Sequence, residues 1–165
     1  MSHAPQSQTA VPPASEGAGV IAPPPLLFLS GLAAGFALQA LLPATPLPVA
    51  VSVPIGVGLI VAGTVLARGF FRAFKRAGTP VSPYRDSTTL VTCGPYRVTR
   101  NPAYLGMALT YAGIAVVAAT LWVLVPLAVV VALIDRGVIV REERYLQRTF
   151  GKQYSQYKRR TRRWL

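Results

Sequence analysis

The chain has 165 residues, a hydrophobic fraction of 52%, only 13% charged residues and a formal net charge of +12. So little charge beside so much apolar residue marks a membrane protein rather than a soluble one. A lone histidine, His3, and a lone cysteine, Cys93, exclude His- or Cys-built metal sites, an internal disulfide and Ser-His-Asp catalysis, which leaves five acids, the tyrosines and the arginines to carry chemistry.

Residues 1–25 are rich in Pro, Ala, Ser and Gln, contain no Lys or Arg, and read as a disordered tail rather than a signal peptide. Residues 26–42 form a first apolar span, in which Gly31 and Gly35 frame a small-xxx-small pattern that lets helices approach closely. Pro43 to Pro48 breaks the helix. Residues 49–67 form a second span, with Pro54 near its start. Its glycines, Gly56, Gly58 and Gly63, superficially resemble a dinucleotide-binding loop, but an apolar span lacks the strand–loop–helix context, so they read as packing residues.

Residues 68–101 form a polar connector bearing Arg68, Arg72, Lys75, Arg76, Arg85, Arg97 and Arg100. It ends in Gly94-Pro95-Tyr96-Arg97 and Arg100-Asn101-Pro102-Ala103-Tyr104-Leu105-Gly106. Asn suits an N-cap and Pro the first helical position, so a helix opens at Pro102 with Tyr104 on its first turn. The uncharged stretch from Leu105 to Ile134 would make a straight helix of about 45 Å, too long for a hydrocarbon core of about 30 Å. It therefore divides into spans over residues 102–119 and 122–140, joined at Thr120-Leu121-Trp122.

All 17 Lys and Arg residues fall either in the connector or from Arg136 onward. Four spans put both groups on one side of the membrane, which the positive-inside rule makes cytoplasmic. The expected fold is therefore all-α: an integral membrane bundle of four transmembrane helices over residues 26–165. A cytosolic amphipathic segment over residues 141–165 completes it, in an inner (plasma) membrane protein with both termini cytoplasmic. That basic segment suits anionic membrane lipid, and topology accounts for the charge without nucleic acid. Glu142 and Glu143 are the informative acids within it. Local pairs with Arg136, Arg144 or Gln147 account for one of them, and paired acids beside Arg141 also suit a cationic ligand bearing hydroxyls.

The pattern Gly-Pro-Tyr-Arg-x-x-Arg-Asn-Pro-x-Tyr-Leu-Gly comes first. After a helical hairpin, Glu142-Glu143-x-x-Leu146-x-x-x-Phe150-Gly151-x-x-Tyr154-x-x-Tyr157 follows. Together they resemble the isoprenylcysteine carboxyl methyltransferase and phospholipid methyltransferase family over Thr88 to Leu165. The resemblance implies S-adenosyl-L-methionine as methyl donor, bound at the cytosolic face. Thr88, Thr89, Leu90, Val91, Tyr96, Asn101, Pro102, Ala103 and Tyr104 would line its site and Glu142 would bind it from the C-terminal side. Arg100 joins these cofactor-binding residues, the methionyl carboxylate suiting an arginine or a helix N-terminus; Glu143 would assist deprotonation of the acceptor, and Arg136 or Arg141 would stand in for a substrate-side arginine. Many members carry His where Asn101 stands, so Asn101 is expected to cap and hydrogen-bond rather than act as a base. The substrate-side arginine of the eukaryotic enzymes aligns with Val138, so the acceptor is only a small or lipophilic carboxylate, thiol or lipid head group. The competing expectations are an NADPH-dependent membrane reductase of the sterol reductase type and a non-enzymatic four-span exporter subunit.

Overall fold

The structure, a computed structural model, describes residues 22–42, 47–78 and 89–165. Most of the expected tail, part of the proline-rich break and connector residues 79–88, with Arg85 and Thr88, lie outside the described residues. The described chain is helical apart from its connections: α1 (Pro24–Leu41), α2 (Val49–Ala77), a 3-10 turn (Gly94–Arg97), α3 (Pro102–Val117), α4 (Leu124–Ile134), a π segment (Asp135–Ile139) and α5 (Val140–Arg160).

Two of these helices, α1 and α2, are long and apolar enough to cross a membrane, and α3 is a shorter apolar helix. Within the protein only 22% of the apolar window of α1 and 17% of that of α2 is buried. A core helix of a soluble protein would be mostly covered, so these faces need a hydrocarbon solvent. At 29 residues, α2 is about 43 Å long and exceeds the ~30 Å core. Arg68, Arg72, Lys75 and Arg76 lie on its final turns. The polar connector expected from Arg68 therefore starts only at Gly78, because these cations continue the helix into water rather than ending it.

Glycines set the distance between α2 and α3. A Cβ on Gly113 would lie 2.6 Å from the Gly56 carbonyl oxygen and 2.9 Å from the Ile60 nitrogen; one on Gly106 would lie 3.0 Å from the Gly63 oxygen. The two backbones touch directly, as small residues permit in a membrane. Among the described residues nothing lies within 4 Å of where a Cβ on Gly58 would stand, so this glycine takes no part in the contact. On the other side, Gly31 faces Val130 and Gly35 faces Val123, which seats α1 against α4.

The corner between α3 and α4 runs through Ala118 to Val123, and Tyr111 Oη donates to the Val123 carbonyl at 2.9 Å. That bond satisfies a buried main-chain acceptor, which apolar surroundings demand. The core gathers Phe28, Tyr111, Ala115, Val123, Val130 and Ile134, with Trp164 from the C-terminus packed against it. α4 then passes without a break through the π segment into α5, so its apolar run and the basic helix are continuous as far as Gly151. Inside α5, Gly151 sits at φ +47°, the left-handed region that favours glycine, and kinks the helix where Phe150-Gly151 suggested an interruption.

Gly113→Ala forces α2 and α3 apart, so it should destabilise the protein by roughly 1–3 kcal/mol, the usual cost of overpacking. Gly58→Ala should be neutral or slightly stabilising. Thermal unfolding in detergent compares them; equal midpoints would contradict this packing.

Candidate functional site

The 3-10 turn is docked on the polar end of α2. Tyr96 packs with Phe70 and Phe74 at ring-centroid distances of 6.3 and 6.1 Å, and Pro95 lies against Gly69, where a Cβ would come within 3.2 Å. From the opposite side, Tyr157 Oη donates to the Tyr96 carbonyl at 2.8 Å. The segment between α2 and α3 is thereby held between α2 and α5. Burial raises the Tyr96 phenol above its ordinary range, and Glu142 and Tyr157 add to the effect. Burial likewise raises Tyr157 and pushes Tyr154 up to about 12. All three phenols stay neutral at physiological pH.

Pro102 opens α3 as expected, but Asn101 makes no side-chain cap bond there. Its Nδ2 instead donates to the Arg163 carbonyl at 2.9 Å, which Thr99 Oγ1 also engages at 3.0 Å. The Arg100 amide bonds the Arg162 carbonyl at 2.9 Å, and Thr99 and Arg162 form a parallel bridge. The capping expectation for Asn101 is thus corrected. Asn101 keeps the N-cap position, but donating Nδ2 to the C-terminal carbonyl turns its side chain away from the first-turn amides that its oxygen would cap.

One turn into α3, the buried Tyr104 donates its hydroxyl to Glu142 Oε1 at 2.7 Å, joining α3 to α5 across the hairpin. Burial pushes the Glu142 carboxyl from an ordinary 4.5 up to about 7; the Tyr104 bond favours the charged form and works against this, while neighbouring Glu143 adds to it. Glu143 is 8% exposed and has very different company. Arg163 Nη2 and Nε reach its two oxygens at 2.8 and 3.2 Å, Arg100 Nη2 lies at 3.0 Å and Lys158 Nζ at 3.8 Å. The local helix pairs expected for these acids give way to this long-range knot. Asp135, on the π segment, receives Arg163 Nη1 at 3.1 Å and Trp164 Nε1 at 3.0 Å.

The result is a half-buried carboxylate and a phenol, set among neutral aromatic rings beside a helix N-terminus. The pattern of the phospholipid methyltransferase family matches residues 51–153, more than half the chain. The chain belongs to the phospholipid methyltransferase family. It is also 38% identical over 77 residues to the cobalt-zinc-cadmium resistance protein CzcN of Cupriavidus metallidurans, a match covering 47% of this chain and 35% of that protein. The chain thus spans about a third of the length of that curated relative. No solved structure matches it. Membership in this family, with two long apolar helices mostly uncovered by protein, makes it a membrane protein of methyltransferase lineage.

In this methyltransferase-family chain, Tyr96, Asn101, Pro102, Ala103, Tyr104 and Glu142 come together around the start of α3. Val91 is buried, Leu90 half-buried and Thr89 exposed on the approach to the 3-10 turn, while Thr88 lies outside the described residues. Arg100 and Glu143 engage each other, and Arg141 is exposed on the first turn of α5. The remaining Arg100 nitrogens, Nε and Nη1, are buried without a hydrogen-bond partner among the described residues, so this side chain has donors left over beyond its pair with Glu143. Thr99, Arg163 and Trp164 were not singled out from the sequence. Trp164 among arginines was the one available signal.

A carboxyl whose folded pKa lies above its ordinary value adds stability below about 4.5, and this is lost as pH rises through about 7. Ligand-free protein should therefore lose thermal stability between pH 5 and pH 8. Glu142→Gln should flatten that trend, with its largest relative gain at pH 8. Parallel melting curves with the same slope against pH would contradict the environment described for Glu142.

Proposed function

We propose that the protein is an S-adenosylmethionine-dependent methyltransferase acting at the membrane on a small or lipophilic acceptor: a carboxylate, a thiol or a lipid head group. The observation that carries this reading is the Tyr104–Glu142 pair, a carboxylate and a ring bridged across the hairpin at 2.7 Å. The family match supports the methyltransferase lineage and favours neither the reductase nor the exporter alternative.

The donor set fits such a cofactor. Sulfonium cations are attracted to carboxylates and aromatic faces, both of which stand here, and ribose hydroxyls suit a carboxylate acceptor. Glu142 and Tyr104 would bind it, Tyr96 and the Leu90–Val91 stretch would flank it, and the amides at the start of α3 would take its carboxylate. When bound, S-adenosylmethionine supplies an electrophilic methyl group on a cationic sulfur.

The chain's own contribution is position. Tyr104 orients Glu142 by hydrogen bond, the Phe70–Phe74–Tyr96 cluster closes the α2 side against water, and the α3–α4 hairpin fixes the separation of the two walls. Holding donor and acceptor in line supplies much of the acceleration of a direct displacement. Glu143, tied to Arg100, Arg163 and Lys158, is a poor candidate for a base. A thiolate or carboxylate acceptor needs none. Exposed Arg141 stands where an anionic group on the acceptor or on membrane lipid can pair with it. In this reading α1, α2, α3 and α4 with the π segment are four spans of the inner membrane. The polar end of α2, α5 and both termini are then cytoplasmic, because that end carries the lysines and arginines.

Calorimetry on detergent-purified protein tests the reading. Glu142→Gln and Tyr104→Phe should each weaken S-adenosylmethionine binding by roughly ten- to a hundredfold, the loss of one charge-assisted contact. Wild-type affinity should rise with pH up to about 7 and level off above it, as Glu142 ionises. S-adenosylhomocysteine, which carries no sulfonium charge, should show a weaker rise. Unchanged affinity in both variants, or a wild type that binds NADPH instead, would overturn the assignment.

A further inference from the structure

The C-terminal residues after α5 double back onto the site. Arg163 alone touches three parts of it: its carbonyl takes Asn101 and Thr99, its Nε and Nη2 grip Glu143, and its Nη1 reaches Asp135 on the π segment. Trp164 bonds the same Asp135 through Nε1 at 3.0 Å while its ring packs on the hydrophobic core. A tail merely draped over the surface would not satisfy a main-chain acceptor, two carboxylates and an indole at once.

We propose that Arg163 and Trp164 form a positioning clasp for the ligand site. By this reading Arg163 holds the start of α3 through its carbonyl and neutralises Glu143 through its guanidinium, which leaves Glu142 as the carboxylate that answers a cation. The proposal rests on the methyltransferase reading for the identity of that cation, but not for the clasp itself.

The electrostatic consequence follows from what surrounds Glu142. Tyr104 faces it from α3 as a donor, Tyr96 from the 3-10 turn and Tyr154 from α5 as neutral phenols, and Glu143 adjoins it as a like charge. Behind Glu143 stand Arg100, Lys158 and Arg163, with Asp135 on the far side of Arg163. Removing the Arg163 charge leaves Glu143 less compensated, and its repulsion then makes Glu142 harder to ionise. A purely structural tail would alter stability but leave that ionisation in place.

The experiment measures S-adenosylmethionine affinity against pH for full-length wild type, Arg163→Gln and Arg163→Lys in detergent. In Arg163→Gln, affinity at pH 7 should fall about tenfold and the midpoint of the pH profile should move up by about one unit. Arg163→Lys keeps the charge but loses the fork, so its midpoint should stay at the wild-type value while affinity falls several-fold. Folded Arg163→Gln protein with an unmoved midpoint overturns the proposal. Should that variant not fold, Arg163→Lys decides, and wild-type affinity there overturns it. A wild type that binds no S-adenosylmethionine ends the methyltransferase reading instead. The clasp is then read by hydrogen exchange at the amides of Thr99 to Tyr104, faster in Arg163→Lys if the clasp holds and unchanged if it does not.

Discussion

Burying a carboxylate without a counter-charge is costly, and the first turn of α5 buries Glu143 and half-buries its neighbour Glu142. Glu143 meets that cost with Arg100, Arg163 and Lys158 drawn from three separate stretches of chain. Glu142 meets it with a neutral phenol, which offsets less. Much of the remaining arrangement follows from this division. The fully compensated acid organises the loop before α3 and the C-terminus, while the under-compensated one leaves a demand for a cation beside aromatic rings.

The membrane architecture brings these groups to one place. Glycine contacts bring α2 and α3 to backbone touching distance, Tyr111 closes the corner at Val123, and α4 returns the chain to the level of Tyr104. The π segment adds a wide turn where the apolar helix becomes basic, and wide turns of this kind often occur at functional sites. Here it presents Asp135 to Arg163 and Trp164. A regular helix would rotate the following α5 relative to α4 and change which acid faces Tyr104.

What could be read in the sequence was what local pattern decides. Pro102 marks a helix start by its fixed φ, the long uncharged run after Leu105 had to fold back, and paired glycines on apolar helices pack. The Tyr104–Glu142 juxtaposition was reachable because a hairpin returns both helix ends to one level. The partners of Glu143 were not legible. Arg136 and Arg144 stood nearer in sequence, and nothing in helical periodicity announces a guanidinium from Arg163 or Arg100. Asn101 was misjudged for the same reason: the sequence shows a capping residue, but not the carbonyl that the distant C-terminus places beside it.

We propose that the start of α3 and the first turn of α5 form one cofactor site on the cytoplasmic face. Ultraviolet crosslinking of methyl-labelled S-adenosylmethionine, in inside-out and right-side-out membrane vesicles carrying the protein, tests it most directly. Label is expected in inside-out vesicles, on peptides containing Tyr96 to Tyr104 and Val140 to Tyr154. Label confined to right-side-out vesicles, or to peptides of α1 and the start of α2, would contradict it.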